Sequence, residues 1–306
     1  MTELWDFLRG SLMTKALAAV VDAGVPEALA DGPRSVSELD GDPDTLHRLL
    51  RALASDGVFR EVEPGVFEHT ETSRRLLGPG WSEFAHLFGG VFFEATTELE
   101  ASTSASPFQG RFGTGFWDWL AEHPAERATF DAAMAGERDR ASEQLAALDW
   151  REGEVVVDVG GGNGTLLLEL IERRPELRGI VLDLPETARD EAALGDRIEF
   201  VEGSFFESVP EGDAYVLSGI LHDWPDEDAA RILQTIRAAA PDHARLLINE
   251  SVILPGNDAD AAKWLDLLML VLAGGRERDE AQWRALLGST GFELESLENP
   301  IVARCR

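Results

Sequence analysis

The first 80 residues alternate between helical and extended patterns. Apolar residues recur at the spacing of one helix face from position 4 to 21. Asp42 is placed to cap a second amphipathic helix. Two short apolar runs then flank the Pro64-Gly65 turn and predict a hairpin. Helices followed by such a hairpin predict a winged-helix domain over residues 1–80.

The middle of the chain, residues 81–150, is typical of a helical connector. Its aromatic residues are numerous, and glycines divide it into short pieces. Phe130 and Met134 lie on its last predicted helix, directly before the next domain. We therefore expect this connector to contribute apolar side chains to a binding pocket.

From residue 151 to 306 the pattern changes to strands alternating with helices. The run 155–159 is apolar except for Asp158, as expected of a parallel strand buried on both faces. A helix is predicted over 226–239. Further strands are predicted at 179–184, 198–201, 214–218, 246–249, 292–297 and 301–304. This alternation predicts an α/β domain with a mostly parallel sheet covered by helices.

Composition excludes several classes of partner. The 306 residues are 44% hydrophobic, which is enough for a sizeable core, and the formal net charge is −30. Such a surface repels nucleic acid and anionic membranes, because both are bound through Lys and Arg. The single cysteine, Cys305, excludes an intrachain disulfide. No signal peptide or membrane-spanning stretch is visible, and we expect a cytoplasmic protein.

A glycine-rich turn is the sharpest chemical signal. The segment from Asp158 to Gly164 reads Asp-Val-Gly-Gly-Gly-Asn-Gly between a predicted strand and a predicted helix. This is the context of a nucleotide-binding loop, in which glycine lets the backbone approach a ligand closely. Asp183 ends the next predicted strand, where a carboxylate can accept both ribose hydroxyls. The alternatives are a tight turn without a ligand and an Asp183 that caps a helix.

Several further segments, in this order, carry a resemblance to a known family. They are Leu182-Asp183-Leu184-Pro185, Gly203-Ser204-Phe205-Phe206, Leu221-His222-Asp223-Trp224-Pro225-Asp226, Asn249-Glu250 and Gly274-Gly275-Arg276-Glu277-Arg278. With the glycine loop they make the chain similar to class I S-adenosylmethionine methyltransferases. More narrowly, it resembles the O-methyltransferases of plant phenolics and of bacterial aromatic polyketide and antibiotic pathways in secondary metabolism.

The resemblance covers nearly the whole chain and implies a fold, a partner and a cofactor. It implies a Rossmann-like catalytic domain behind an amino-terminal winged helix that builds a homodimer. The cofactor would be S-adenosyl-L-methionine, released as S-adenosyl-L-homocysteine, with no metal. Its implied contacts are Asp158, Gly160, Gly162, Asp183, Leu184, Ser204, Phe205 and Ser218. Many family members have Asp in place of Ser204 and Lys in place of Ser218, so both contacts differ here.

The same resemblance assigns the chemistry to three residues. His222 would take the hydroxyl proton of the acceptor, while Glu250 and Glu277 flank it and stabilise the imidazolium. The alternatives are a structural histidine, a Glu250 that caps an element or faces solvent, and a Glu277 that pairs with Arg276 or Arg278. The six histidines lack the spacing of metal ligands.

The acceptor is expected to be a small, flat, aromatic or polyketide-like molecule in an apolar pocket. The predicted lining residues are Phe130, Met134, Trp264, Leu268 and Met269. Each of these side chains is equally compatible with a role in the core.

Three other functions compete with O-methylation. The winged helix allows a DNA-binding regulator, which the charge of −30 disfavours. Methyl transfer to nitrogen also needs proton removal. A relative that binds the cofactor but catalyses decarboxylation or hydroxylation would not need His222.

Overall fold

Apolar runs of the second half of the chain form the centre of a seven-stranded sheet. The computed structural model describes residues 3–103, 105–185, 187 and 195–306, without the side chains of 3 and 135–140. Its helices are α1 (Glu3–Leu8), α2 (Gly10–Asp22), α3 (Val25–Ala28), α4 (Pro43–Ser55), α5 (Glu71–Arg74), α6 (Trp81–Gly89), α7 (Val91–Ala95), α8 (Pro107–Phe112), α9 (Phe116–Glu122), α10 (Pro124–Ala146), α11 (Thr165–Arg173), α12 (Asp226–Ala239), α13 (Ala261–Ala273) and α14 (Glu280–Ser289).

The strands are short and concentrated in the second half. They are β1 (Arg34–Ser35), β2 (Phe59–Glu63), β3 (Val66–His69), β4 (Val155–Val159), β5 (Arg178–Asp183), β6 (Ile198–Glu202), β7 (Ala214–Ser218), β8 (Arg245–Asn249), β9 (Val252–Ile253), β10 (Arg278–Asp279), β11 (Phe292–Ser296) and β12 (Ile301–Cys305). Single 3₁₀ turns occur at Val36–Glu38, Arg75–Leu77, Thr96–Glu98 and Leu221–Asp223.

Packing divides the chain into two compact units. The first contains residues 1–99 and 110–136, and the second contains residues 100–109 and 137–306. The predicted division into 1–80, 81–150 and 151–306 followed the sequence pattern and the expected function of each part, and it stays a prediction.

The first unit contains the predicted helices and hairpin. Asp42 caps α4 by accepting a 2.9 Å hydrogen bond from the Thr45 N–H. β2 and β3 pair antiparallel around Pro64-Gly65, and β1 extends the sheet beside β3. Phe59 and Phe67 of this sheet pack in one cluster with the apolar face of α4. The predicted hairpin is therefore confirmed.

The second unit is the predicted α/β domain. Its sheet has the order β11-β12-β8-β7-β4-β5-β6. The five strands β4 to β8 run parallel, and β12 pairs antiparallel with β8. The strands β4 and β7 begin and end where the sequence predicts, as does α12. Two separate apolar clusters cover the two faces of the sheet.

The order of the strands reverses between β4 and β7, because the chain moves outward from β4 through β5 to β6 and then returns to β7. In open α/β sheets, ligands bind outside the carboxyl ends of the strands at such a point. No helix in the described part of the chain is both long and apolar enough to cross a membrane.

Candidate active site

The glycine loop follows β4 at the point where the strand order reverses. Gly160 and Gly162 have φ of +74° and +60°, which L-residues with side chains rarely adopt. A Cβ atom on Gly160 would lie 2.5 Å from Ile220 Cδ1. The loop is tied to β5, since Gly160 N–H donates to the Leu182 carbonyl at 2.8 Å. Glycine at position 160 is therefore required both by the backbone conformation and by the close packing of Ile220.

Asp183 at the end of β5 is held by three donors. Its Oδ2 accepts from Gly162 N–H at 2.7 Å, and its Oδ1 accepts from Leu184 N–H at 2.8 Å and Thr187 Oγ1 at 2.6 Å. Each carboxylate oxygen can accept about two hydrogen bonds. Oδ2 therefore keeps capacity for a further donor, such as a ribose hydroxyl, whereas Oδ1 has both of its donors from the protein.

A cluster of aromatic side chains packs beside the glycine loop. The nearest atom of Phe205 would lie 3.5 Å from a Cβ on Gly160. Phe205 packs on Phe206 and, at 6.1 Å and 82°, on Trp224. Ser204 accepts from Phe206 N–H at 3.2 Å, so its hydroxyl helps to shape the turn that presents the Phe205 ring.

The remaining predicted cofactor contacts lie on three neighbouring strands. Asp158 is buried near the end of β4, with 2% of its surface exposed. Ser218 ends β7 and accepts from Asn249 Nδ2 at 2.9 Å, while Leu184 is exposed directly after β5. Together with the loop, Asp183 and Phe205, these residues suit a nucleoside, because a carboxylate that can accept from a hydroxyl lies near an aromatic ring at one edge of the sheet.

His222 lies in the 3₁₀ turn after β7, on the same edge of the sheet. Its Nδ1 is 2.7 Å from Glu277 Oε1, and the Glu277 side chain is fully buried. A carboxylate only accepts hydrogen bonds, so Nδ1 carries a proton and the neutral ring has its lone pair on Nε2. Nε2 is 3.7 Å from Asp223 Oδ1, beyond hydrogen-bonding distance. This arrangement can hold the ring of a proton acceptor in one tautomer.

Glu250 contacts the backbone of this turn. Its Oε1 accepts from the N–H groups of Ile220, Leu221 and His222 at 3.1, 2.6 and 3.3 Å. Glu250 is only 6% exposed. The carboxylate therefore caps the amino end of the turn and supports the position of His222. The expectation that two acids flank the histidine is refined by this geometry, because Glu277 contacts the ring and Glu250 contacts the main chain.

The arginines beside Glu277 form ion pairs with another residue. Arg276 and Arg278 reach the two carboxylate oxygens of Asp226 at 2.9 and 3.0 Å. The alternative in which Glu277 pairs with one of these arginines is therefore wrong. Glu277 itself is fixed through its backbone, since its N–H donates to Asp266 Oδ1 at 2.9 Å.

Opposing effects set the charge of the histidine. Burial disfavours the charged ring, but the nearby carboxylates of Asp223, Glu277 and Glu250 outweigh it and raise the pKa of His222 from 6.5 to about 10. Burial raises the pKa of Asp223 to about 7 and also raises the pKa of Glu250. The histidine therefore holds its proton strongly until another positive charge or a substrate changes the balance.

Two supporting residues were missed in the sequence. Asp266 is the one acid within the apolar stretch 265–273. Its carboxylate accepts a hydrogen bond from Glu277 N–H and so helps to fix the backbone of Glu277. Arg278 is fully buried and was considered only as a partner for Glu277. A charge inside an apolar helix was the available signal for Asp266, whereas the contacts of Arg278 depend on residues more than 50 positions away.

The predicted acceptor residues are divided between the two units. Phe130 on α10 contacts the rings of Phe116 and Trp117 at 5.4 and 5.5 Å, and Met134 lies one turn later on the same helix. On α13, the Trp264 side chain is 71% exposed and Met269 is buried in the core.

Leu268 lies one turn after Trp264 on the same face of α13 and is half-buried. An acceptor role for these five residues stays a prediction. Among the described residues, no group of three or more His, Cys, Asp or Glu is arranged to hold a metal ion.

The sequence and the structure both match known proteins. Residues 91–293 match the family described as the O-methyltransferase domain, and residues 5–79 match the O-methyltransferase dimerisation domain. Phenazine O-methyltransferase PhzM of Lysobacter antibioticus is 36% identical over 310 residues, which cover 95% of this chain and 91% of that protein.

Two further similar proteins differ in the atom that they methylate. The 8-amino-8-demethylriboflavin N,N-dimethyltransferase of Streptomyces davaonensis is 37% identical over 303 residues, covering 91% of this chain and 86% of that protein. The solved structure of NcsB1, an O-methyltransferase from neocarzinostatin biosynthesis in complex with S-adenosylmethionine and 2-hydroxy-5-methyl naphthoic acid, is 31% identical with a TM-score of 0.81. The match covers 95% of this chain and 94% of that one.

The domain match includes the glycine loop, Asp183, His222, Glu250 and Glu277 within one continuous stretch. Relatives above 30% identity extend over nearly the whole chain. The chain therefore belongs to the O-methyltransferase family and is an S-adenosylmethionine-dependent O-methyltransferase.

Proposed function

We propose that His222 is the general base for methylation of a hydroxyl group on a small aromatic or polyketide-like acceptor. The observation that carries this proposal is the 2.7 Å bond between His222 Nδ1 and the buried Glu277 carboxylate. That bond directs the lone pair of the neutral ring to Nε2 and stabilises the imidazolium that forms when Nε2 takes a proton.

S-adenosylmethionine, when bound, supplies an electrophilic methyl group on a cationic sulfur. A positive charge in this site favours the neutral form of His222 and opposes the carboxylates that raise its pKa. His222 Nε2 takes the hydroxyl proton as the acceptor oxygen forms its bond to the methyl carbon. The electron pair of the carbon–sulfur bond would remain on sulfur, and S-adenosylhomocysteine would be the product.

The chain's own residues supply alignment as well as proton removal. The glycine loop and Asp183 would hold the nucleoside, and Phe205 would lie against its base. Fixing two reactants in line contributes roughly 7–11 kcal/mol to a reaction of this kind. A positioned base contributes about 10²–10⁴-fold more. The proposal asks His222 to provide only this second, smaller part.

An aromatic acceptor is supported by the relatives. Phenazine O-methyltransferase acts on a phenazine, and NcsB1 was solved with a hydroxylated naphthoic acid. Trp264 and Leu268 offer apolar surface on α13 for such a ring. Methylation of nitrogen is a second candidate, because one relative at 37% identity is an N,N-dimethyltransferase.

An acceptor panel tests this proposal. Purified protein is incubated with S-adenosylmethionine and matched phenols and anilines, and S-adenosylhomocysteine formation is measured while product masses locate the methyl group. We expect methylation of phenolic oxygen. Product formed only from the anilines would replace the proposal by N-methylation.

We also propose that the protein is a homodimer formed through its first unit. The dimerisation match covers residues 5–79, and α1 and α2 expose Leu4, Phe7, Leu8 and Leu12 by 66–75%. Sedimentation of the wild type is expected to give a dimer, and Phe7→Glu is expected to weaken it. A wild-type monomer at micromolar concentration would contradict this proposal. A cytoplasmic location stays a prediction.

A further inference from the structure

Arg278 is a fully buried cation that contacts the turn carrying His222. Its Nη1 donates to the Leu221 carbonyl at 2.9 Å, and its Nη2 donates to the Trp224 carbonyl at 3.0 Å. Its Nε donates to Asp226 Oδ1 at 3.0 Å. The guanidinium also lies over the Trp283 ring, 5.4 Å from the ring centre. A buried charge needs such a set of partners, because an unsatisfied one is costly.

These bonds hold the turn at both of its ends. The Leu221 carbonyl belongs to the first residue of the turn Leu221–Asp223, and the Trp224 carbonyl belongs to the residue that follows it. Only a planar fork with several donors reaches both carbonyls at once. From the other side, Glu250 accepts hydrogen bonds from the N–H groups of the turn. Buried charged side chains therefore bind both the N–H groups of the turn and the carbonyl groups at its two ends.

The same residue joins the turn to the segment that carries Glu277. Glu277 directly precedes Arg278, so the segment that the guanidinium anchors also carries the carboxylate. The His222 carbonyl also accepts from Arg276 N–H at 2.8 Å. Gly275 permits this approach, since a Cβ there would lie 2.0 Å from the His222 carbonyl oxygen.

We infer that Arg278 is a positioning residue for the reaction: it fixes the distance between His222 and Glu277 by anchoring the catalytic turn to the segment of Glu277. This inference rests on the proposed role of His222 as the base. Arg278 touches neither reactant in this account and acts only through the histidine. If Arg278 served only in packing, its replacement would instead lower the stability of the fold and would weaken cofactor binding and turnover alike.

The first test is Arg278→Lys, which keeps the positive charge and loses the fork. A single ammonium cannot hold both carbonyls in the geometry of a guanidinium. Because small misplacements of a catalytic group cost up to about 10²-fold, we expect kcat to fall by about 10–100-fold. The dissociation constant of S-adenosylmethionine, measured by calorimetry, is expected to stay within about twofold. Arg284→Lys is the matched control, since Arg284 only pairs with Glu280 on an exposed helix face.

A double-mutant cycle separates positioning from packing. If Arg278 acts through the histidine, Arg278→Lys causes no further loss of kcat in a His222→Gln background. An equal fall in both backgrounds, or a wild-type kcat for Arg278→Lys, would overturn the inference. If His222→Gln alone retains full turnover, the proposed base is wrong. If His222→Gln is inactive but Arg278→Lys turns over normally, only the role of Arg278 is overturned. The two failures can therefore be told apart.

A milder variant covers the case in which Arg278→Lys does not fold. Asp226 is half-exposed and accepts from Arg278 Nε, so Asp226→Asn weakens the anchor without emptying the core. The change from a charged to a neutral acceptor weakens this bond by about 1 kcal/mol and is expected to lower kcat by about fivefold, again only when His222 is present. An unchanged kcat for a folded Asp226→Asn would overturn the inference.

Discussion

Replacing Glu277 by Gln tests the carboxylate that contacts the ring of His222, the proposed base. Glu277 Oε1 lies 2.7 Å from His222 Nδ1, and the Glu277 side chain is fully buried, so solvent does not screen the pair. Glutamine keeps the shape and can still accept from Nδ1. The substitution therefore removes the charge and leaves a neutral hydrogen bond.

The expected loss follows from the difference between these two bonds. A hydrogen bond to a charged group contributes about 1.5–3 kcal/mol, and a neutral one contributes about 0.5–1.5 kcal/mol. The difference, about 1–2 kcal/mol, is lost when the ring becomes charged in the transition state. Since 1.36 kcal/mol corresponds to a factor of ten, kcat is expected to fall by about 5–30-fold.

The same substitution shifts the pH dependence. The nearby carboxylates raise the pKa of His222 to about 10, and only the neutral ring accepts a proton. Activity of the wild type is therefore expected to rise with pH as the ring loses its proton. Glu277→Gln lowers the pKa of His222, so the acidic limb of its profile is expected to move to lower pH with a reduced plateau.

The assay is single-turnover formation of S-adenosylhomocysteine at saturating acceptor from about pH 6 to above the His222 pKa of about 10. Glu280→Gln is the control, because Glu280 forms an exposed ion pair with Arg284. An unchanged plateau together with an unmoved acidic limb would refute the reasoning, since a buried carboxylate in contact with the base must affect both.

Three other predictions concern the cofactor site and the fold. Asp183→Asn is expected to weaken S-adenosylmethionine binding by about 10–100-fold in calorimetry, because a charge-assisted bond is lost; an unchanged affinity would contradict the ribose assignment. Gly160→Ala is expected to cost about 1–2 kcal/mol in urea unfolding because its φ is +74°. Gly288→Ala is the control, because it lies in helix α14 with nothing within 4 Å of a new Cβ, and it is expected to stabilise the fold by up to about 1 kcal/mol. The raised pKa of His222 means that its protonation stabilises the fold fully below pH 6.5, and this contribution is lost as the pH rises through about 10. Between about pH 6.5 and pH 10 the melting temperature is therefore expected to fall by more in the wild type than in His222→Gln. Equal falls in the two proteins would contradict the raised pKa of His222.

Buried parallel strands were predicted well because their signal is local. The strands β4 and β7 are buried on both faces, so each appears as a nearly continuous apolar run in the sequence. The helix α12 begins after Pro225 with three acids in its first turn, which is a clear amino-terminal signal. Strands β9 and β10 contain two residues each and pair across 26 positions, so no periodicity marks them.

The site was predicted less completely than the fold. The order of motifs placed His222, Glu250 and Glu277 at one edge of the sheet. Which atoms they contact depends on tertiary structure: Glu250 meets three backbone N–H groups some 30 residues away, and Arg278 meets carbonyls more than 50 residues away. Residue type and spacing do not distinguish an acid that contacts a ring from an acid that caps a turn.

The central claim is that His222 removes the acceptor proton, and a series of phenols of decreasing pKa tests it most directly. Single-turnover rates of wild type and His222→Gln are measured at one pH with saturating cofactor. For a phenol with a pKa near 10, His222→Gln is expected to be slower by about 10²-fold or more. The deficit is expected to vanish for a phenol that is already ionised at the assay pH. Equal rates for the two proteins with the un-ionised phenol would contradict the claim.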